Sequence, residues 1–185
     1  APSQPNTVYV IAETKAGSLF RSDDGGDKFV KVTENADIVW RGFYFTDLRV
    51  HPKNPETLFA LAYTVQLSKD GGKSWKDTAA EMHPDMHALW IDPTNPEAMW
   101  LGHDGGVGSS LDGGAKWRYH NNIPLGQYYQ IHADNRLPFY WLTGGQQDNS
   151  TWTGPSRTRE GKGIGNGDWR LISGGDGFYA LSDPD

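Results

Sequence analysis

Apolar and polar positions alternate in this chain only over short stretches, and turn-forming residues close each one. Thr7–Ala12, Leu48–Val50, Leu58–Tyr63, His87–Ile91, Ala98–Leu101, Tyr128–His132, Phe139–Leu142 and Phe178–Leu181 are apolar or aromatic runs bounded by Gly, Pro, Asn or Asp. Such runs read as β-strands. No stretch of ten or more residues carries a helical period. The pattern predicts an all-β chain.

The runs recur with a fixed punctuation. Ser22-x-Asp24-x-Gly26-x-x-Phe29, Ser68-x-Asp70-x-Gly72-x-x-Trp75 and Ser110-x-Asp112-x-Gly114-x-x-Trp117 repeat one pattern, with their aspartates 46 and 42 residues apart. That spacing is the length of one four-stranded propeller blade. A second signal sets the register. Val50-His51-Pro52-Lys53-Asn54-Pro55 and Ile91-Asp92-Pro93-Thr94-Asn95-Pro96 each lead into an apolar run, and proline with asparagine favours a turn. These segments are assigned to the turn between the innermost strand A and strand B. The Ser-x-Asp-x-Gly pattern then falls in the hairpin between strands C and D.

The blades follow from this register. Strands B to D of a first blade occupy 7–33; a second blade spans 45–79, a third 86–122 and a fourth 127–173. The fourth lacks the pattern and carries a Gly-rich insertion at Glu160–Asp168. An extra A strand is expected at 177–183. Its sequel, Ser182-Asp183-Pro184-Asp185, resembles the other A–B junctions when joined to Gln4-Pro5-Asn6-Thr7. It would cover the edge of the first blade, which lacks an A strand. The reading is a β-propeller of about four blades. An arc of a larger propeller is favoured over a closed four-bladed ring, because four blades are near the lower limit and the chain starts at Ala1 and stops in a turn, as a piece of a longer protein would.

Composition narrows the chemistry. With 17 basic and 23 acidic residues the chain has a net charge of −6, which argues against a phosphate-backbone binder. No apolar run approaches the roughly 18 residues that span a bilayer. Cysteine is absent, which excludes disulfides, thiolate metal sites and a cysteine nucleophile. The 23 glycines and 23 aromatic residues suit short strands with tight turns.

Asp24, Asp70 and Asp112 read as structural: the carboxylate and the Ser22, Ser68 or Ser110 hydroxyl bond locally in the turn, the glycine takes a positive φ, and the aromatic packs beneath. Candidate chemistry lies instead in the D–A and B–C loops, over the channel. Those loops hold Glu81-Met82-His83-Pro84-Asp85-Met86-His87, Gly102-His103-Asp104-Gly105-Gly106, Gly144-Gly145-Gln146-Gln147-Asp148-Asn149 and Gly174-Gly175-Asp176-Gly177. Asp85 and Asp176 occupy the same place in different blades, seven residues before Asp92 and Asp183. Carboxylates converging from several blades meet the requirement of glycoside hydrolysis, in which one carboxyl protonates the leaving oxygen and another activates water or attacks carbon. Asp85, Asp104, Asp148 and Asp176 are therefore the catalytic candidates. His87 and His103 are candidate orienting or proton-transfer groups, with Gln147 and Asn149 as ligand contacts. Trp40, Arg41 and Tyr63 fall in equivalent loops, where an aromatic beside an arginine suits a sugar or carboxylate; Glu13 and Lys15 occupy the matching loop of blade one. Each of these also has a plain reading: Asp–Gly is a common turn pair, Trp40 can simply pack, and Arg157 and Arg159 read as solvated loop arginines. His83, His87, His103 and Asp85 show no strong metal-ligand spacing, so no metal and no cofactor is expected.

Ser, Asp, Gly and Trp at this spacing resemble the Asp-box, or bacterial neuraminidase repeat, of sialidases, sortilins and several glycoside hydrolases. The stretches Trp100–Gly106, Asp112–Trp117, Gly144–Asn149, Gly154–Thr158 and Gly174–Tyr179 look like the large bacterial Asp-box propeller proteins of glycosyl-hydrolase or sortilin-like type. The resemblance covers nearly the whole chain and part of a longer protein. It implies export, a glycan or peptide ligand, and remaining blades of a parent protein, or a second copy, as partners. It places the Asp-box away from the ligand face. The sialidase arginine triad and an Arg-Ile-Pro motif are missing, and the two opposed aspartates of xyloglucan-degrading relatives would need a second lobe. A carbohydrate-active propeller, a sortilin-like binding module and a structural or assembly propeller all stay open.

Overall fold

The computed structural model describes every residue except Ala16, Phe45, Pro124, Pro184 and Asp185. Phe45, the expected start of blade two, and Pro184-Asp185 of the expected last turn thus lie outside the described residues. Two compact units are present, Ala1–Asn121 and Asn122–Asp185.

The first unit holds three antiparallel sheets. β1 (Val8–Thr14), β2 (Gly17–Ser22) and β3 (Val30–Thr33) form a three-stranded sheet in chain order. β4 (Asp47–Val50), β5 (Leu58–Leu61), β6 (Val65–Ser68) and β7 (Lys76–Asp77) form the next, and β8 (Met86–Ile91), β9 (Met99–His103), β10 (Gly106–Ser110) and β11 (Arg118–Tyr119) the third. The second unit holds one sheet of β12 (Gln130–Ala133), β13 (Trp141–Gly145), β14 (Thr151–Pro155) and β15 (Arg170–Ser173). Up-and-down sheets of this kind, one per 40-odd residues, are the blades of a β-propeller. Among the described residues, the first sheet has three strands and the others four. Among the described residues no helix is long and apolar enough to cross a membrane.

Period-2 alternation explains how blades pack. All four residues of β5 are buried, and they face opposite ways. Leu58 and Ala60 join Leu19, Ile38 and Val39, with Tyr9, Ile11, Leu48, Val50 and Trp75 at the margin. Phe59 and Leu61 join Val65, Met86, Leu89, Met99 and Leu101. One strand thus supplies two inter-blade cores, and each large side chain fully buried there contributes about 1.5–3 kcal/mol.

The repeated hairpins sit on the preceding blade. Gly72 has φ +92°, and a Cβ there would lie 2.1 Å from Cδ2 of Leu19; at Gly114, φ +81°, it would lie 3.0 Å from Phe59. Trp75 and Trp117 pack against these cores. Phe29, the aromatic of the first repeat, is 43% exposed.

Three strand expectations are corrected. β13 starts at Trp141 rather than Phe139, because the Asp134 carboxylate accepts the Trp141 amide at 2.9 Å and draws Phe139-Tyr140 into the A–B turn. β5 stops at Leu61, where the Ala62 amide bonds to the Thr64 carbonyl and turns the chain. Gly177–Asp183 is not a strand: it runs without a ladder, since an apolar run becomes a strand only when another edge pairs with it.

Candidate active site

The two ends of each blade in the first unit are built differently. At one end the A–B turn and the C–D hairpin are tied together. The amides of Gly25, Gly71 and Gly113 donate to the carbonyls of Asn6, Glu56 and Glu97, at 2.9, 2.8 and 3.1 Å. Ser22, Ser68 and Ser110 hydroxyls donate to Asp24, Asp70 and Asp112 at 2.6, 2.8 and 2.8 Å. The same hydroxyl oxygens accept the amides of Gly26, Gly72 and Gly114. The carboxylates also accept amides four residues on, from Lys28, Ser74 and Lys116. Bonds to the charged form favour it. The Ser22 hydroxyl holds Asp24 below the usual carboxylate range, the Ser74 hydroxyl brings Asp70 to about 2, and the Lys116 amide lowers Asp112.

At the other end the D–A and B–C loops cross. The amides of Asp85 and Met86 donate to the carbonyls of Tyr63 and Ala62, and the Asp104 amide donates to the Asp85 carbonyl at 3.2 Å. Asp85 is 5% exposed with φ +65°. Its Oδ2 accepts from Arg41 at 3.2 Å, and its Oδ1 is buried without a partner. Arg41 also has a positive φ, 59°. Two non-glycine residues in the left-handed region face each other across this pair, each at a cost of about 1–2 kcal/mol. Burial pushes the Asp85 carboxyl up; Arg41 opposes that and Asp104 adds to it. A carboxylate oxygen of Asp104 lies within 4.8 Å of one of Asp85, and Asp104 also meets Nε2 of His87 at 2.7 Å.

Aromatic rings flank these acids. Trp40 and Tyr63 make an edge-on pair with centroids 5.0 Å apart and are 53% and 43% exposed. Tyr44 stands edge-on to His87 at 5.7 Å, and the Arg41 guanidinium lies 5.5 Å from the Tyr44 ring centre. Tyr44 is absent from the sequence-based candidates. Its signal is its position, three residues beyond Arg41 in the same loop.

His103 sits apart from this mouth. It is 7% exposed, its Nδ1 accepts the Gly105 amide at 3.1 Å, and its Nε2 is buried without a partner. Its ring lies 6.2 Å from that of His83 and 5.5 Å from that of Tyr119. Burial lowers it to about 4, with His83 acting the same way and Asp104 opposing. A Cβ at Gly105 would lie 2.4 Å from the His83 side chain, so glycine is what lets the loop close there. Elsewhere in this unit Glu13 lies against Gly42, and Lys15 is exposed.

The second unit brings together its own candidates. The Asp176 carboxylate accepts the Asp148 amide at 3.0 Å, and Asp148 has φ +55°. The Gln147 side chain accepts from the Tyr129 hydroxyl, and Asn149 Nδ2 donates to the Gln147 carbonyl at 3.0 Å. Asp176 thus has a turn-holding bond, the Gln147 side chain is engaged by Tyr129 from outside the loop, and Asn149 has a partner within its own loop. Arg157 stands over the Phe139 ring at 5.9 Å, and Arg159 is exposed.

No family model matches the chain, and no curated protein matches it. Solved structures of low identity do. An ancestral GH74 enzyme is 18% identical over 99% of this chain and 26% of its own, with a TM-score of 0.46. The GH74 xyloglucanase of Xanthomonas campestris is 17% identical over 95% and 31%, with a TM-score of 0.49. YCF48 bound to D1 peptide is 12% identical over 84% and 49%, with a TM-score of 0.41. The chain therefore spans about a quarter to a half of the length of these proteins.

Proposed function

We propose that the loop end of the first unit binds a carbohydrate, with Asp85 and Asp104 as its acid pair. The observation that carries this reading is Asp85: a buried carboxyl with an unpartnered oxygen, beside a second carboxylate and exposed aromatic rings. Unsatisfied buried polar groups are rare in folded proteins and call for a reason. A sugar hydroxyl or glycosidic oxygen is a fitting partner for Oδ1. Trp40 and Tyr63 offer the apolar faces on which sugar rings stack, and Arg41 and His87 hold the two acids in place. Burial keeps the Asp85 proton to higher pH than an ordinary carboxyl, which suits a proton donor; Asp104, engaged by His87, is the complementary carboxylate for water or carbon. The resemblance to Asp-box glycoside hydrolases agrees with this assignment, and the export it implies belongs to the same proposal.

The test is an array of neutral and acidic oligosaccharides probed with this chain, followed by aryl glycosides for turnover. Trp40→Ala is expected to weaken glycan binding about tenfold, equivalent to about 1.4 kcal/mol. Asp85→Asn and Asp104→Asn are expected to lower any hydrolysis by about 10²–10⁴. A chain that retains no glycan but captures extended peptides at the same residues would replace the carbohydrate reading with a peptide-binding one.

A further inference from the structure

β3 is the outer strand of its sheet and pairs with β2 alone. Strand D ends the sheet in every blade here, so this edge is open by the build of a blade. β7 and β11, the outer strands of the next two blades, have two residues each, which leaves almost no edge to pair with. β3 has four, Val30–Thr33. Lysine is a common guard on such an edge, and Lys28 and Lys31 stand here. They oppose a second copy of the same edge. They favour a strand that carries carboxylates.

A groove of about 640 Å³ adjoins this edge, lined by Val30 and Val32 of β3 and by Lys73, which the hairpin of the second blade contributes. Val30 stands opposite Arg21 in the ladder and so shares its face, yet it is 69% exposed. The charges along the groove are not equally available. Arg21 is held by Asp23 and Glu56 at 2.9 and 2.7 Å. Asp23 also accepts the Thr7 hydroxyl at 3.1 Å, and Asp24 is taken up by its own turn. Lys31 pairs with Glu34. Among the described residues, Lys28 and Lys73 have no carboxylate partner, and both are exposed. The groove therefore keeps two uncommitted cations and no uncommitted acid. The chain as a whole has a net charge of −6, so an acidic ligand gains nothing from the surface at large and depends on these two.

We propose that the outer edge of β3 and this groove bind an extended acidic polypeptide segment. The segment adds a strand beside β3; its main-chain bonds give affinity and its alternate side chains give selectivity. On the face turned to the groove it sets a β-branched residue over Val30, with a carboxylate two positions away on either side for Lys28 and Lys73. An anionic glycan or a polyphosphate has the charge but uses neither the exposed valine nor the open ladder. A polypeptide uses all three. This inference does not rest on the carbohydrate reading, which concerns the opposite end of the blades.

Fluorescence polarisation with a labelled synthetic peptide of repeated Glu-Thr-Val-Thr units tests it. Such a peptide, extended, presents Glu and Val on one face and Thr on the other. It is expected to bind this chain, and more weakly as salt is added. Lys28→Gln/Lys73→Gln is expected to weaken binding about tenfold. Lys116→Gln, on the hairpin of the third blade, is expected to leave it unchanged. All three are exposed lysines, so the fold is expected to survive each change. The same peptide N-methylated at every residue, which has no amide to donate, is expected not to bind. Hydrogen exchange within Val30–Thr33 is expected to slow when the unmodified peptide is present. No binding of that peptide, binding indifferent to the paired lysine change, or equal binding of the N-methylated peptide or of a sulfated oligosaccharide would each overturn the proposal.

Discussion

The same residue type is treated in opposite ways at the two ends of the first unit. Asp70, in the repeated hairpin, has every bond it needs from residues within four positions of it, and its carboxyl is held at about 2. Asp85, in the loop end, draws its one ionic partner from 44 residues away, leaves an oxygen unpartnered, and is pushed the other way by burial. A carboxylate satisfied by its own turn has no capacity left for a ligand. One held by remote, incomplete contacts in a left-handed conformation costs stability and keeps that capacity. On the proposed reading, the hairpin end is framework and the loop end carries the chemistry.

The largest effect that would break this contrast is expected at a framework glycine. Gly72→Ala puts a methyl in the left-handed region and 2.1 Å from Leu19; strain and overpacking together should cost about 3–4 kcal/mol. Gly175→Ala has a similar φ, 81°, and open space around it, so only the backbone cost of about 1 kcal/mol is expected. Chemical denaturation of both variants decides whether close packing under the hairpin, rather than turn geometry alone, fixes the blades.

Next in size is a pH effect confined to the loop end. The unfolded chain protonates His103 near 6.5 and the folded chain only at about 4. Between those values the unfolded state binds more protons, so stability falls as pH drops from 6.5 towards 4 and is level above 6.5. The depression corresponds to about 3 kcal/mol. His103→Gln is expected to flatten that part of the stability–pH curve; an unchanged slope would mean that His103 is hydrated in solution.

A paired substitution at the two aspartates comes third. Asp70→Ala should cost about 1–2 kcal/mol, since it strips bonds from four donors, the Ser68 and Ser74 hydroxyls and the Lys73 and Ser74 amides, and should leave glycan binding unaltered. Asp85→Asn should change stability by less than about 1 kcal/mol, because it removes a buried charge as well as an ion pair, while ligand binding or turnover falls sharply. If both variants lose stability and neither loses function, the division between framework and chemistry fails.

What the sequence discloses follows the same division. The hairpins were legible because Ser, Asp and Gly bond to their own neighbours, so spacing alone carries the geometry. The A–B turns were legible for the same reason, from Pro and Asn. β7 and β11, two residues each, leave too little alternation to be seen directly and are implied only by the hairpins before them. Phe178–Leu181 reads as a strand because propensity is local, but the ladder that makes a strand is not. The Arg41–Asp85 and His87–Asp104 pairs join separate loops, so spacing showed only that these residues occupy the loop end and could not show who meets whom. Tyr44, which meets both Arg41 and His87, was missed because its one signal is its place three residues beyond Arg41, with no repeated motif around it.

The smallest expected effect compares the two arginine–carboxylate pairs that join blades. Arg21 and Glu56 meet at 2.7 Å at the hairpin end, with the Tyr9 hydroxyl, itself raised to about 12 chiefly by burial, accepting from the same arginine. Both charges are partly hydrated, so Arg21→Gln should cost only about 0.5–1 kcal/mol, and less as salt is added. Arg41→Gln at the loop end should behave differently. With its cation gone, Asp85 can keep its proton instead of remaining charged and buried, so the loss of stability is capped and appears instead as a further rise in the Asp85 carboxyl, readable by carbon-detected NMR titration. The sign of the linkage follows. A folded-state value above the unfolded one gives Asp85 a stabilising contribution at low pH that is lost as pH rises through the raised value, and Arg41→Gln should push that loss to higher pH. Salt should weaken the first pair and leave the Asp85 titration nearly unmoved, because a group 95% withdrawn from solvent is poorly screened. A salt-sensitive Asp85 would place it in water, and with it would go the reason for assigning the chemistry to this end of the blades.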